Sequence, residues 1–373
     1  MHDNLQQTEN IPLQHTRCCF ENQADRGEQM RNLNNLLEPI RAEMGLPALT
    51  AAVIEKSKLV ALGAVGKRRV DKDDPVRRED RFHIGSCTKS MTATLIARLI
   101  EMGRLDWGSM VAEVLLDIRK GIRRDYWKVT LEQLLTHRSG LPDDRTPHPQ
   151  VFTRLWSLSA KQRLQAAEVI LQQEPVAQPG EKTIYSNGGY VVAGAMAEVV
   201  TGKTWEELMQ EHLFRPLGIK SAGFGAPTDG VWGHRSGTGG YLPVPPSPFA
   251  DNPPVLGPAG TVHLSMPDWA RYAILHLRGA TDENPPLLCK TSFARLHTPP
   301  DAGAYAMGWG VTQPEWARGR VLQHAGSNTM WFAQILLVPY AGAGFLVATN
   351  AADARARDGV HRVMDVLREG RLK

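Results

Sequence analysis

The chain has 373 residues, 42% apolar and 22% charged, the balance of an ordinary globular protein with room for one or two compact units. Its 43 basic and 39 acidic residues give a net charge of +4 with the signs well mixed. Nothing in that balance suggests a nucleic-acid surface: the basic run Lys67-Arg68-Arg69 is answered at once by Asp71, Asp73 and Asp74 and reads as a solvated turn.

No stretch is long and apolar enough to span a bilayer, and the first thirty residues hold no apolar run resembling a signal peptide. The four cysteines (adjacent Cys18 and Cys19, then Cys87 and Cys289) make no disulfide framework. A reduced, cytoplasmic setting is the expectation, or a periplasmic or secreted one if a leader has been trimmed away.

Residues 1–27 are polar and aperiodic and read as a loosely held arm. A helix is predicted next, with Met30, Leu33, Leu37, Ile40 and Met44 along one stripe and Gly45 as its stop. Two strand-like runs, Leu49 to Ile54 and Leu59 to Val65, flank the polar tetrad Glu55 to Lys58 and suggest a hairpin. The stretch Phe82 to Asp106 predicts a short approach and then a helix from near Ser86 to Gly103, with Met91, Leu95, Leu99 and Met102 apolar at helical spacing.

From Leu105 to about Gly223 the pattern is mostly helical. One helix begins at Val129 with Thr130 as its cap and Gln133 three residues on, and ends in the breaker-rich loop Thr136 to Pro142. Others are predicted over Lys161 to Gln173, Gly189 to Thr201 and Trp205 to Phe214, while 225–260 is dense in Gly and Pro and reads as irregular. Strand patterns return at Ala306 to Val311, Val321 to His324, Met330 to Val338 and Gly344 to Asn350, followed by a terminal helix from Ala352 to about Glu369. Strands at both ends and helices between them imply one sheet from residues 28–80 and 255–373, with 81–254 as a mainly helical part.

Three local patterns carry chemistry. Ser86 and Lys89 are three residues apart and so share a face at the start of a helix, where an amine can take the proton of a hydroxyl. Tyr185 and Asn187 are two apart in an extended run and point the same way. The phenol can relay a proton, and the amide can hold a substrate carbonyl or orient the lysine. His324-Ala325-Gly326 continues the run Val321 to Gln323 and leads to Ser327, with Gly326 allowing close backbone approach and the next N–H a second oxyanion donor. His83-Ile84-Gly85 has the same form but lies directly before the helix, so it cannot form the opposite wall of a cleft.

In that order, Ser86-x-x-Lys89, Tyr185-x-Asn187 and His324-x-Gly326 resemble the three motifs of the penicillin-recognising serine hydrolases, and most closely the class C β-lactamase-like branch. That branch includes D-alanyl-D-alanine carboxypeptidases, D-aminopeptidases and β-lactamase-like carboxylesterases. The stretches Leu134 to Pro142, Gln178 to Glu181, Pro216 to Ile219 and Gly257 to Gly260 resemble it too, and the likeness covers about residues 30–370.

The resemblance implies an α/β (α+β) fold: an antiparallel sheet flanked by terminal helices beside a helical part, with the site between. It implies that Ser86 forms an acyl-enzyme, that Lys89 and Tyr185 handle the proton, and that Asn187 orients the substrate. The N–H groups of Ser86 and Ser327 would form the oxyanion hole, His324 would line the cleft within reach of a substrate carboxylate, and water would release the acyl group with no metal or cofactor.

The implied partner is a small ester, amide or β-lactam. Histidine at 324, where many dedicated β-lactamases carry lysine, and Asp143 and Asp144 after Pro142 favour ester or D-amino-acid amide hydrolysis. The alternatives are a β-lactamase, or a penicillin-binding sensor that is acylated but barely turns over. No serine has the Gly-x-Ser-x-Gly of an α/β-hydrolase, Ala197 removes the phosphate-loop reading of Gly202-Lys203-Thr204, and no metal spacing is present.

Overall fold

The computed structural model describes residues 30–143 and 148–370. The expected arm at 1–27, Cys18, Cys19 and Asp144 lie outside the described residues.

A seven-stranded sheet runs in the order β1 (Arg31–Asn32), β3 (Lys58–Gly66), β2 (Ala48–Glu55), β12 (Ala343–Thr349), β11 (Phe332–Val338), β10 (Val321–Ser327) and β9 (Gly310–Thr312). β1 lies parallel to β3, and every other neighbouring pair in this sheet is antiparallel. The expected hairpin turns through Lys56 and Ser57 at φ of 48° and 56°, the left-handed pair that a two-residue connection between twisted strands needs.

Alternation along the central strands splits the core. Leu49, Ala51 and Val53 of β2 pack with Leu33, Leu37 and Ile40 beside helix α1 (Asn34–Glu43), and with Val360, Val363 and Leu367 of the C-terminal helix Ala354–Glu369. Ala48, Ala52 and Ile54 face the other way, toward the cluster that contains helix α2 (Thr88–Glu101). That helix is enclosed on nearly all sides, with Thr88 to Ala97 continuously buried, so it is central.

Several boundaries move. Met30 and Met102, both expected in apolar stripes, lie at or beyond helix ends and are exposed. The helix expected from near Ser86 begins with a single 3-10 turn, Gly85–Cys87, before regular α-helix starts at Thr88. The stretch 225–260 is not wholly irregular: β6 (Gly233–Gly237) and β7 (Gly240–Val244) form a hairpin there. A smaller sheet joins β4 (Arg81–His83), β8 (Val262–Ser265) and β5 (Gly223–Phe224) in the order β4-β8-β5.

Helix Met266–Thr281 stands where no element is predicted, although Ser265 caps it by accepting from the Asp268 amide and a proline opens its first turn. The predicted cap at Thr130 is a full capping box with Gln133, an arrangement worth about 1 kcal/mol. Among the described residues, no helix is long and apolar enough to cross a membrane.

Buried histidines give the fold a pH signature. Burial lowers His234, His263 and His324 to about 4 and His297 to about 3, from an ordinary 6.5. Their folded values lie below the unfolded one, so below about pH 6.5 the unfolded chain takes up these protons first. Stability present above that pH is therefore lost as pH falls toward 4, by up to about 1.4 kcal/mol per histidine per pH unit. Thermal melts at matched ionic strength should show Tm falling from pH 7 to pH 5; a flat profile over that interval would refute the assignment.

Candidate active site

The cleft is built where four chain segments meet the start of α2. Ser86 sits in the 3-10 turn, with Gly85 before it at φ +50°. Lys89, one helical turn on, is fully buried, and its Nζ donates to Ser86 Oγ at 3.1 Å, Asn187 Oδ1 at 2.7 Å and the Ala259 carbonyl at 2.7 Å. Those three acceptors match the three N–H bonds of an ammonium group. Tyr185 OH donates to Ser86 Oγ at 2.7 Å, and the Lys89 ammonium lies 4.7 Å from the tyrosine ring centre.

Each of these side chains is held from behind. Asn187 is the first residue of helix Asn187–Thr201, directly after the extended Tyr185-Ser186 pair. The breaker-rich loop supplies His137, held at φ 59°, whose carbonyl accepts from the Ile184 amide at 2.8 Å and whose Nδ1 accepts from the Ser186 amide at 3.1 Å. Its ring lies against Tyr185 with centroids 4.4 Å apart, so the loop fixes the segment that carries the phenol. Ala259 comes from the one-turn helix Gly257–Gly260. No local sequence signal marks its main-chain carbonyl as the anchor of the lysine.

β10 forms the opposite wall. Gly326 lies hard against the Ser86 turn: a Cβ there would fall on the Ile84 carbonyl oxygen and within 2.6 Å of the Ser86 nitrogen. Reciprocally, a Cβ on Gly85 would fall on the Ser327 nitrogen and within 2.6 Å of the Gly326 carbonyl carbon. Only glycine at both positions permits this approach. Ser327 Oγ accepts from the Thr329 amide at 2.9 Å, which shapes the turn out of β10.

His324 is buried in this wall, and both ring nitrogens are engaged. Nδ1 is 2.7 Å from the Ala325 carbonyl, which can only accept, so the ring proton is on Nδ1 and Nε2 accepts from Tyr305 OH at 3.0 Å. Burial, with the nearby Lys89 charge, lowers the ring to about 4, so it is neutral at pH 7. A contact from this imidazole to a substrate carboxylate would require breaking one of those bonds.

These residues open on a cleft of about 820 Å3, lined by Ser86, Tyr185, Asn187, His324, Gly326 and Ser327, and also by Phe152, Asn252 and Arg357. The last three carry no local sequence signal; Arg357 arrives from the C-terminal helix and supplies a cation that His324 does not. Asp143 is not among the described residues that line the cleft.

The Beta-lactamase family model matches residues 33–368, nearly the whole described chain. The chain belongs to the Beta-lactamase family. Within that family it is 26% identical over 330 residues to penicillin-binding protein 4 of Amycolatopsis lactamdurans, covering 85% of this chain and 84% of that one. It is 23% identical over 335 residues to Protein flp of Staphylococcus aureus (strain MW2), and spans 63% of that protein's length.

Among solved structures, the D-amino acid amidase of Ochrobactrum anthropi SV3, complexed with L-phenylalanine amide, superposes with a TM-score of 0.72 at 19% identity, over 91% of this chain and 98% of that one. EstCE1, a hydrolase with promiscuous acyltransferase activity, gives 0.71 at 18% identity, over 88% and 97%. At these identities the likeness shows the fold: mixed α/β with a multistranded sheet, as in serine β-lactamases.

Proposed function

We propose that this Beta-lactamase-family protein is a serine hydrolase acting on carboxylic esters or D-amino-acid amides through an acyl-enzyme on Ser86. The observation that carries the reading is the convergence of Lys89 Nζ and Tyr185 OH on one hydroxyl, at 3.1 and 2.7 Å. A serine so placed loses its proton to a neighbour as Oγ attacks a carbonyl.

With the three N–H bonds of Lys89 directed at Ser86, Asn187 and Ala259, the reacting form is the Tyr185 phenolate, held by the adjacent Lys89 charge; it takes the Ser86 hydroxyl proton as Oγ attacks and becomes the neutral phenol. Ser86 and Ser327 N–H groups receive the oxyanion of the tetrahedral intermediate. Tyr185 then returns the proton to the leaving alcohol or amine, and the same residues activate water to release the acyl group. A relative by sequence is named for penicillin binding, and a D-amino acid amidase and a hydrolase with promiscuous acyltransferase activity share the fold. His324 is neutral with both ring nitrogens engaged, so at its position it offers no charge to an anionic antibiotic, which supports ester and amide substrates; the cation that lines the cleft is Arg357.

The test is a panel of p-nitrophenyl butyrate, D-phenylalanine amide and a chromogenic cephalosporin. Sustained turnover of the ester or the amide, with kcat/KM at least about tenfold above the cephalosporin, is the expected result. A single stoichiometric burst with every substrate would make the protein a sensor instead.

A further inference from the structure

Behind the nucleophile turn lies a buried polar cluster that the mechanism above does not use. His83 ends β4 and is fully buried, and Asp251, from the segment between β7 and β8, is nearly so. The Gly85 amide donates to His83 Nδ1 at 3.1 Å, so the ring proton is on Nε2, which donates to Asp251 Oδ2 at 2.9 Å. Asp251 Oδ1 accepts from Asn328 Nδ2 at 2.8 Å and from the Asn252 amide at 2.7 Å. Asn328 Oδ1 then accepts from the Met330 and Trp331 amides at 3.2 and 3.1 Å, which fixes the turn after Ser327. Asn252 Nδ2 donates to the Gly260 carbonyl at 3.2 Å.

One carboxylate therefore ties together three backbone segments. They are the Gly85-Ser86 turn, the β10–β11 turn, and the Gly257–Gly260 turn whose Ala259 carbonyl anchors Lys89. Burying a charged or polar pair gives little net stability, because desolvation offsets the attraction; what it supplies is direction. The direction here is specific, since the cluster reaches both glycine-lined surfaces that press the Ser86 turn against Ser327.

We propose that Asp251, acting through His83 and Asn328, is a positioning residue that sets the spacing of the Ser86 and Ser327 amides and so the oxyanion hole. It touches neither substrate nor reacting atoms. The inference rests on the acyl-enzyme reading given above.

The variants Asp251→Asn, His83→Gln and Asn328→Ser test it. Glutamine at 83 keeps a donor for Asp251 but loses the acceptor for the Gly85 amide, whereas His83→Asn keeps an acceptor near Gly85 and should recover part of the rate. Each of the first three should lower kcat for p-nitrophenyl butyrate about 10- to 100-fold with KM within about threefold.

Each should weaken inhibition by phenylboronic acid, whose tetrahedral adduct mimics the intermediate, by the same factor. The Asp251→Asn/His83→Gln double variant should be no worse than the poorer single one. Boronate affinity is read on folded molecules only, so a loss of folded protein alone leaves it unchanged. Wild-type boronate affinity in these variants, with hydrolysis that still depends on Ser86, overturns this inference alone. Hydrolysis at the wild-type rate by Ser86→Ala overturns the acyl-enzyme reading and this inference with it.

Discussion

Replacing Ser86 by alanine is expected to abolish ester and amide hydrolysis, lowering kcat by about four to six orders of magnitude. The side chain removed is the one atom on which Lys89 and Tyr185 converge, so no neighbouring group inherits its role. Stability should change little. Lys89 keeps the Asn187 and Ala259 oxygens as acceptors, and the turn is held by backbone bonds such as that from the Cys87 amide to the Ile84 carbonyl at 3.1 Å. Tm within about 3 °C of wild type is the expected companion result. Full activity in the variant would place the chemistry elsewhere.

Gly326→Ala is expected to cost both activity and stability. The added methyl meets backbone, the Ile84 carbonyl and the Ser86 nitrogen, so no side chain can swing aside to make room. Either β10 moves away from the nucleophile turn or the turn moves away from Lys89. The Ser86 amide is displaced in both cases, and overpacking of this kind costs about 1–3 kcal/mol before any loss of function. At least about a hundredfold fall in kcat/KM together with a Tm lowered by several degrees is the outcome to look for. Wild-type kinetics would mean that β10 does not form the wall of the reacting site.

Much of this was legible in the sequence, and for identifiable reasons. Local geometry carries part of it: three residues at a helix start put Ser86 and Lys89 on one face. Tyr185 and Asn187 do reach one site, the phenol at the Ser86 hydroxyl and the amide at the Lys89 amine, although Asn187 opens a helix instead of continuing the extended run. The Thr130–Gln133 cap and the continuous apolar runs of β2 and β12 are likewise local signals.

What stayed hidden depends on tertiary approach. His83 read as a surplus match to a motif, because its partner Asp251 is 168 residues away and the function of the pair lies in what each holds. Arg357 lies on the polar-looking face of the last helix, and nothing within its own turn announces a cleft. The β6–β7 hairpin was obscured by glycines and prolines, which lower strand propensity and leave pairing to be decided by neighbours. His324 was legible as a wall residue, but the Tyr305 hydroxyl that occupies its Nε2 was not.

The most direct measurement is intact-protein mass spectrometry of rapidly quenched enzyme with p-nitrophenyl butyrate, followed by peptide mapping. The account predicts one butyryl group per chain, on the peptide containing Ser86, absent from Ser86→Ala and both formed and released more slowly in Tyr185→Phe. An adduct on any other residue, or steady hydrolysis with no adduct trapped at any quench time, would contradict it.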